Sequence, residues 1–340
     1  MIAPLLGKLI RGESLAFPEM QGAMGGILEG QWTPAQIAGF LVALRIKGET
    51  PAEIAAAVSV LREKATAVPT SARPLVDTCG TGGDHSGSFN ISTAAALVAA
   101  GGGAAVAKHG NRAVSSACGS ANVLEELGVK LELSPEQVGA CIDECRIGFL
   151  FAPKLHGSFR HVAPVRAELG QRTLFNLLGP MLNPARAKRQ VIGVYDMNLT
   201  RTLAEVLLEL RSEHVLVVAG TDGLDEITLT APTKVAELKG GEIREYVLNP
   251  EDLGFSLCSK SDLLGGDAKR NAAIIRGVLE GKKGPALDIV LLNAGAALYA
   301  AGLAPDLKGG VARARESVAT GAAGRVLEKW AERSRSFASA

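Results

Sequence analysis

The sequence predicts an α/β protein in two parts: a small helical domain at the N-terminus, then a larger domain on a central, mainly parallel sheet. Three observations carry this reading. Residues 1–66 show helical periodicity only. After Val68-Pro69, short apolar runs ending in polar turns begin to alternate with helical segments, as in a parallel sheet covered on both faces. The chain of 340 residues, 47% hydrophobic and 21% charged, is long enough for about two domains with a substantial core.

In the first part, WTPAQIAGFLVALRIKG reads as a helix with Thr33 as N-cap, Pro34 at its first position and Ile37, Phe40, Leu41 and Leu44 on its buried stripe. ETPAEIAAAVSVLREKA repeats that entry, with Thr50, Pro51 and a stripe of Ile54, Val58 and Leu61. PLVDTC then reads as a buried strand and FNISTAAALVAA as a helix entered through Asn90, Ser92 and Thr93. GAAVAKHGN is a second strand, SACGSANVLEELG a second helix, and PEQVGACIDECRIGFL a further helix. RQVIGVY, HVLVVAG and KVAELKG are strand candidates. The remaining helices are TRTLAEVLLELR, GDAKRNAAIIRGVLEG, PALDIVLLNAGAALYAAG and a C-terminal GGVARARESVATGAAGRVLEKWAERS.

Composition excludes several classes. Aromatic residues at 4% leave little for stacking on single-stranded nucleic acid, and a net charge of +1 gives no footprint for a polyanion. The five cysteines show no CxxC pair, and Cys141 and Cys145 read as buried side chains one helical turn apart. A reducing cytoplasm is therefore expected. Lys8, Arg11 and Glu13 break the N-terminal apolar stretch, so it does not read as a signal peptide, and the run Ala94 to Ala107 is too short to span a bilayer.

Three strand ends carry chemistry. The first is Asp77–Asp84, DTCGTGGD, running on to Ser88, Asn90, Ile91, Ser92 and Thr93. Its glycines let the backbone approach an anion, and the helix that follows adds its N-terminal dipole. Yet the loop has no cation of its own and is bracketed by two aspartates; it is neither a GxGxxG nor a GKS/GKT loop. The second, Lys108-His-Gly-Asn-Arg112 with Ser115 and Ser116, supplies the missing cations from the neighbouring strand, so that Lys108 and Arg112 are expected to face the glycine loop. His109 reads as structural. The third, Thr221–Glu226, places Asp225 and Glu226 at a strand end, where two carboxylates opposite phosphates suit magnesium.

These motifs occur together, in order, with HVAPVRAELGQRTLFNLLGPMLNPA and NAAIIRGVLEGKKG, and so the chain resembles the anthranilate phosphoribosyltransferases over essentially its whole length. The resemblance implies the nucleoside phosphorylase and phosphoribosyltransferase type of fold. The helical domain would be residues 1–68, completed by a mid-chain segment near 166–186, with 73–165 and 187–340 forming the α/β domain. It implies a homodimer, a magnesium (Mg2+) cofactor, no nucleic acid or membrane partner, and transfer of phosphoribose from phosphoribosyl pyrophosphate to anthranilate in tryptophan biosynthesis. Phosphoribosyl pyrophosphate would be held by Gly80, Gly83, Asp84, Ser88, Asn90, Ile91, Ser92, Thr93, Lys108, His109, Gly110, Asn111, Arg112, Ala113, Val114, Ser115, Ser116 and Ser120. Ser92, Asp225 and Glu226 would place the metal; Gly80, Asn111 and Arg166 would contact anthranilate, Arg166 through its carboxylate. One departure is His156-Gly157-Ser158-Phe159, where the family often has HPAM or HPAL, on the segment lining the anthranilate route.

No side chain is an obvious nucleophile, and Cys79 reads as structural. Catalysis is then expected to rest on positioning and electrostatics, with pyrophosphate leaving an oxocarbenium-like ribosyl centre that the aromatic amine attacks. Closure of the helical domain over the ligands is a further expectation. Two alternatives remain at this level. A pyrimidine nucleoside phosphorylase of the same fold would not need Asp225 and Glu226, and a nucleic-acid-binding relative would show a basic surface and a degraded KHGN run.

Overall fold

The computed structural model describes residues 2–112 and 118–337. The N-terminal part is formed by α1 (Ile2–Ile10), α2 (Phe17–Leu28), α3 (Pro34–Lys47) and α4 (Pro51–Lys64). Both expected entries are present. Thr33 Oγ1 accepts from the Gln36 N–H and Thr50 Oγ1 from the Glu53 N–H, each with proline next in the chain. Such caps satisfy N–H groups that have no intrahelical partner and are worth about 1 kcal/mol each. Every apolar residue assigned to the two stripes is buried.

The larger part is a sheet of β1 (Leu75–Asp77), β2 (Ala105–Gly110), β3 (Ile147–Phe151), β4 (Arg189–Gly193), β5 (His214–Gly220), β6 (Thr233–Lys239) and β7 (Glu242–Leu248) among the described residues. Their order in space is β3-β2-β1-β4-β5-β6-β7. The first five are parallel; β6 and β7 run antiparallel on the far edge. The strand order reverses between β1 and β4. In an open sheet of this kind the crevice beyond the carboxyl ends of those strands is where ligands bind.

Helices cover the sheet: α5 (Ile91–Gly101), α6 (Ser120–Glu126), α7 (Pro135–Cys145), the short α8 (Ala152–Leu155), α9 (Ala163–Leu169) and α10 (Phe175–Leu178), then α11 (Leu199–Glu209), α12 (Ala268–Leu279), α13 (Pro285–Ala300), α14 (Leu307–Ala319) and α15 (Ala322–Ser336). One core lies under α5, α13 and α15. The second joins α2–α4 to Val165, Leu174 and Phe175 of the mid-chain segment, to α11 and to the other face of β5. The helical part therefore shares apolar packing with the sheet.

Three expectations need correction. The segment read as one helix from Pro135 to Leu150 stops at Cys145, because Arg146 takes a left-handed conformation (φ 65°), and IGFLF becomes β3. The C-terminal segment read as one helix is two, parted at Thr320-Gly321, where Gly321 has φ 71°. β7 was not foreseen: it is an edge strand whose side chains are mostly exposed, so it lacks the apolar signal of the others.

Candidate active site

β1 ends in Asp77, which is fully buried. Its Oδ1 accepts from the His109 N–H at 3.1 Å and its Oδ2 from Asn183 Nδ2 at 2.7 Å. Burial pushes this carboxyl up to about 6, against the pull of Lys108 and these donors. The Lys108 side chain is 2% exposed and rises from β2 beneath the glycine loop. Its Nζ donates to Thr78 O (3.2 Å), Thr78 Oγ1 (3.2 Å) and Ser92 Oγ (3.3 Å). The cation missing from the loop is thus held between the end of β1 and the first turn of α5.

The loop leaves β1 and is tied to the end of β4, where the Thr81 N–H donates to Gly193 O at 2.8 Å. Gly82 and Gly83 have φ of 67° and 80°, a conformation in which successive N–H groups can converge on an anion. Gly193 allows a second close approach: a Cβ there would collide with the Asp225 carbonyl. A Cβ on Gly80 would lie 3.0 Å from Gly193 O and 3.3 Å from Asp225 Oδ2. Asp225 thus lies beside the loop, and its N–H faces Asp84 Oδ2 at 3.4 Å.

Glu226 Oε1 accepts from the Ser92 N–H at 3.1 Å, at the N-terminus of α5. Desolvation and the neighbouring carboxylates raise the proton affinity of Asp225, to about 7, and that of Glu226 well above the usual range. Among the described residues no group of His, Cys, Asp or Glu forms a ready-made metal cage. Asp84, Asp225 and Glu226 instead crowd negative charge onto hard oxygen atoms, an arrangement suited to a hydrated divalent ion that takes further ligands from a phosphate substrate.

Of the other predicted residues, Ser88 lies in an isolated bridge with Leu264, and Asn90 Nδ2 donates to Cys118 O at 3.1 Å. Ile91 and Thr93 are buried in α5. Gly110 ends β2, and Ser120 Oγ donates to Asn111 O at 3.2 Å. Ala113, Val114, Ser115 and Ser116 lie outside the described residues. Arg112 is exposed and makes paired 2.7 Å bonds to the Glu125 carboxylate. Burial raises the pKa of the Cys79 thiol, keeping it protonated, in keeping with a structural role.

Arg166 projects from α9, half-buried, with its guanidinium 5.6 Å from the Phe175 ring. No carboxylate pairs with it among the described residues. A chain of rings leads from Phe175 back to β2: Phe159 is 5.6 Å from Phe175, His156 is 5.8 Å from Phe159, and His109 is 5.0 Å from His156. The departure at 156–159 therefore places a phenyl ring in this wall. His109 Nδ1 faces the carbonyl of Gly179 at 3.1 Å, so it carries the proton. His109 Nε2 then accepts from His156 Nε2 at 3.1 Å. Burial lowers these two rings to about 3 and about 4, and both are neutral.

Sequence reasoning missed Asn183, which ties β1 to β2 through Asp77 and Ala107 O, and Arg172, which donates to Gly83 O. A polar residue inside the apolar run LLGPMLNPA was the available signal for the first; nothing local marks the second.

An anion loop at a strand-order reversal, with a buried lysine beneath it, carboxylates opposite and a helical bundle alongside, defines a glycosyltransferase of the kind that handles phosphorylated pentoses. Residues 72–324 match the glycosyl transferase family a/b domain, and residues 3–65 match the helical bundle domain of the same family. The chain is 54% identical to the anthranilate phosphoribosyltransferase of Chromobacterium violaceum, over 97% of each chain. It is likewise 54% identical to that of Symbiobacterium thermophilum, over 96% of each. The crystal structure of the Thermus thermophilus enzyme superposes with a TM-score of 0.92 at 49% identity, covering 97% of this chain and 99% of that one. The Saccharomyces cerevisiae enzyme in complex with PRPP and Mg superposes at 0.89 and 28% identity, over 98% of each. The chain belongs to the anthranilate phosphoribosyltransferase family. It is a pentosyl-transferring enzyme of tryptophan biosynthesis that moves the phosphoribosyl group of phosphoribosyl pyrophosphate onto the amine of anthranilate.

Proposed function

We propose that the crevice over β1 and β4 performs this transfer, with Gly80, Gly83, Asp84, Ser88, residues 90–93 and 108–116 and Ser120 holding phosphoribosyl pyrophosphate, and Gly80, Asn111 and Arg166 contacting anthranilate, Arg166 through its carboxylate. The observation that carries this assignment is the Lys108 ammonium, buried under the glycine loop and bonded to Thr78 and Ser92. A fixed positive charge there favours the anion in the loop and the charge that grows on pyrophosphate as it leaves. Ser92, Asp225 and Glu226 would hold magnesium, and Asp84 beside Asp225 fits the same oxygen set. Magnesium bound there would supply further positive charge to the leaving pyrophosphate.

Arg166, with no carboxylate partner among the described residues and its guanidinium 5.6 Å from the Phe175 ring, offers both a charge-assisted contact for a carboxylate and an aromatic surface for the ring that bears it. It would fix the amine toward the ribosyl carbon. The neutral histidines 109 and 156 shape the wall, and neither is needed as a base, because the alkylated aromatic amine is acidic enough to lose its proton unaided. We also propose the division into 1–68 with 166–186, and 73–165 with 187–340. The first part would close over the second when the ligands bind. A homodimer through the helical part accounts for the exposed Ile10 (77%), Phe17, Val42 and Ile46 (82%) on α1, α2 and α3. No described helix is long and apolar enough to cross a membrane. Among the described residues no cysteine pair forms a disulfide, which suits the reducing cytoplasm.

Pyrophosphate release tests the assignment: it should require both substrates and a divalent ion and should collapse in Lys108→Ala. Release that survives that change would place the pyrophosphate elsewhere.

A further inference from the structure

Arg172 has no part in the roles assigned above. The backbone on either side of it is fixed: Gly170 (φ 57°) closes α9, and Thr173, Leu174 and Phe175 are buried. Its side chain reaches out of the mid-chain segment to the glycine loop, where Nη2 donates to Gly83 O at 2.5 Å. The guanidinium lies 3.7 Å over the Tyr195 ring, and among the described residues no carboxylate pairs with it. Tyr195 stands two residues beyond Gly193, and the Val194 N–H between them is bonded to Val218 O of β5 at 2.9 Å. The loop is therefore fastened to the end of β4 twice: at Thr81 directly, and at Gly83 through the Arg172–Tyr195 stack.

This second fastening sets the direction of a peptide plane. In a trans peptide the carbonyl and the following N–H point to opposite sides. Holding Gly83 O toward Arg172 turns the Asp84 N–H the other way, within a stretch whose two positive-φ glycines would otherwise let the plane rotate freely. Arg172 also lies six residues after Arg166 on one continuous segment. The strand of chain that carries the anthranilate-facing guanidinium thus carries the one that orients the phosphate loop. Whatever orders one end reduces the cost of ordering the other, which is energetic coupling between two sites.

We propose that Arg172, stacked on Tyr195, is a positioning residue that holds the Gly83–Asp84 peptide in its anion-binding orientation and couples the two substrate subsites. This rests on the assignment of the glycine loop to phosphoribosyl pyrophosphate. A planar, charged side chain is required because it must stack and donate together; lysine can donate but cannot stack in this way.

Titration calorimetry on the full chain with magnesium tests it. Anthranilate affinity is measured with and without phosphoribosyl pyrophosphate, or with pyrophosphate where turnover interferes. In the wild type the phosphorylated ligand should tighten anthranilate several-fold. In Arg172→Gln that factor should fall to near one and affinity for phosphoribosyl pyrophosphate should drop about tenfold, the usual effect of losing a charge-assisted hydrogen bond. Anthranilate affinity alone and the melting temperature should stay unchanged. Arg172→Lys should behave like Arg172→Gln, Tyr195→Leu should lose coupling in part, and Tyr195→Phe should keep it. An unchanged coupling factor in both Arg172 variants overturns the proposal, as does a wild type without coupling. A parallel loss of both affinities with a lowered melting temperature overturns it too, because it marks Arg172 as a packing residue. Lys108→Ala separates the levels: if it too leaves phosphoribosyl pyrophosphate affinity intact, the assignment of the loop has failed; if it abolishes binding while Arg172→Gln leaves that affinity and the coupling factor unchanged, only the present inference has.

Discussion

Replacing Asp225 by asparagine should have opposite effects on the free and the loaded protein. In the free chain desolvation and Asp84 hold the Asp225 carboxyl at about 7, against an ordinary 3.8. At 1.36 kcal/mol per unit, ionising it there costs on the order of 4 kcal/mol at pH 8. That penalty is shared with Glu226, so removing one charge should return about 1–2 kcal/mol. For a chain of 340 residues the melting temperature without ligands should rise by about 1–3 °C. The sign with pH follows from the raised value. The folded form binds a proton more readily than the unfolded form, so the ligand-free wild type gains stability as pH falls from 8 through 7 toward 4. Asp225→Asn should lose its share of that slope. With substrates present the effect reverses: a ligand to the metal is weakened, and half-maximal activity should need about tenfold more magnesium, the order of loss seen when support around a metal is removed. Differential scanning fluorimetry at pH 8 and 6, beside a magnesium titration of pyrophosphate release, gives both readouts. An unchanged magnesium requirement together with an unchanged melting temperature would refute the reasoning and leave the metal to be held by the substrate's own pyrophosphate.

Arg166→Ala should raise the anthranilate constant about tenfold or more while leaving that for phosphoribosyl pyrophosphate near wild type, because a charge-assisted contact is worth about 1.5–3 kcal/mol; equal effects in initial-rate kinetics would make Arg166 a packing residue. Lys108→Ala should do the reverse, and activity within about twofold of wild type, the scale of a screened surface charge, would contradict the buried-cation account. The depressed values of His109 and His156 make both rings a source of acid instability: the folded form resists protonation while the unfolded form takes it up below 6.5. Stability is retained above 6.5 and lost as pH falls toward 4, by about 3 kcal/mol per ring at pH 4.5. Urea denaturation of His156→Gln should show a shallower loss over that interval than wild type; parallel curves would mean that the rings are not held neutral.

Much of the fold was legible because its signals are local. Thr33-Pro34 and Thr50-Pro51 mark helix starts through hydrogen bonds that span three residues, and they form as written. β1, its glycine loop and α5 were legible for the same reason: an apolar run, then glycines, then a run of helix-forming alanines. What failed depends on context. IGFLF reads on as helix until Arg146 turns left-handed, and nothing in residue type forces that turn. Among the described residues β7 pairs only with β6, and it leaves Val247 61% exposed, so burial wrote no pattern into it. In the site, residue types identified Lys108 and the carboxylates. The contacts that orient them join residues far apart in the chain. Asp84 meets Asp225, Asp77 meets Asn183, and Arg172 meets Gly83. Arg112 shows the converse: a cation in a suggestive motif satisfied by its own neighbour, Glu125.

The most direct test of the whole account is anthranilate fluorescence, followed with the purified chain while phosphoribosyl pyrophosphate, magnesium and enzyme are omitted in turn. The account predicts that fluorescence disappears only when all are present, that chelating the metal stops the loss, and that Lys108→Ala abolishes it. Fluorescence that persists in the complete mixture, with inorganic phosphate cleaving a pyrimidine nucleoside in its place, would contradict it.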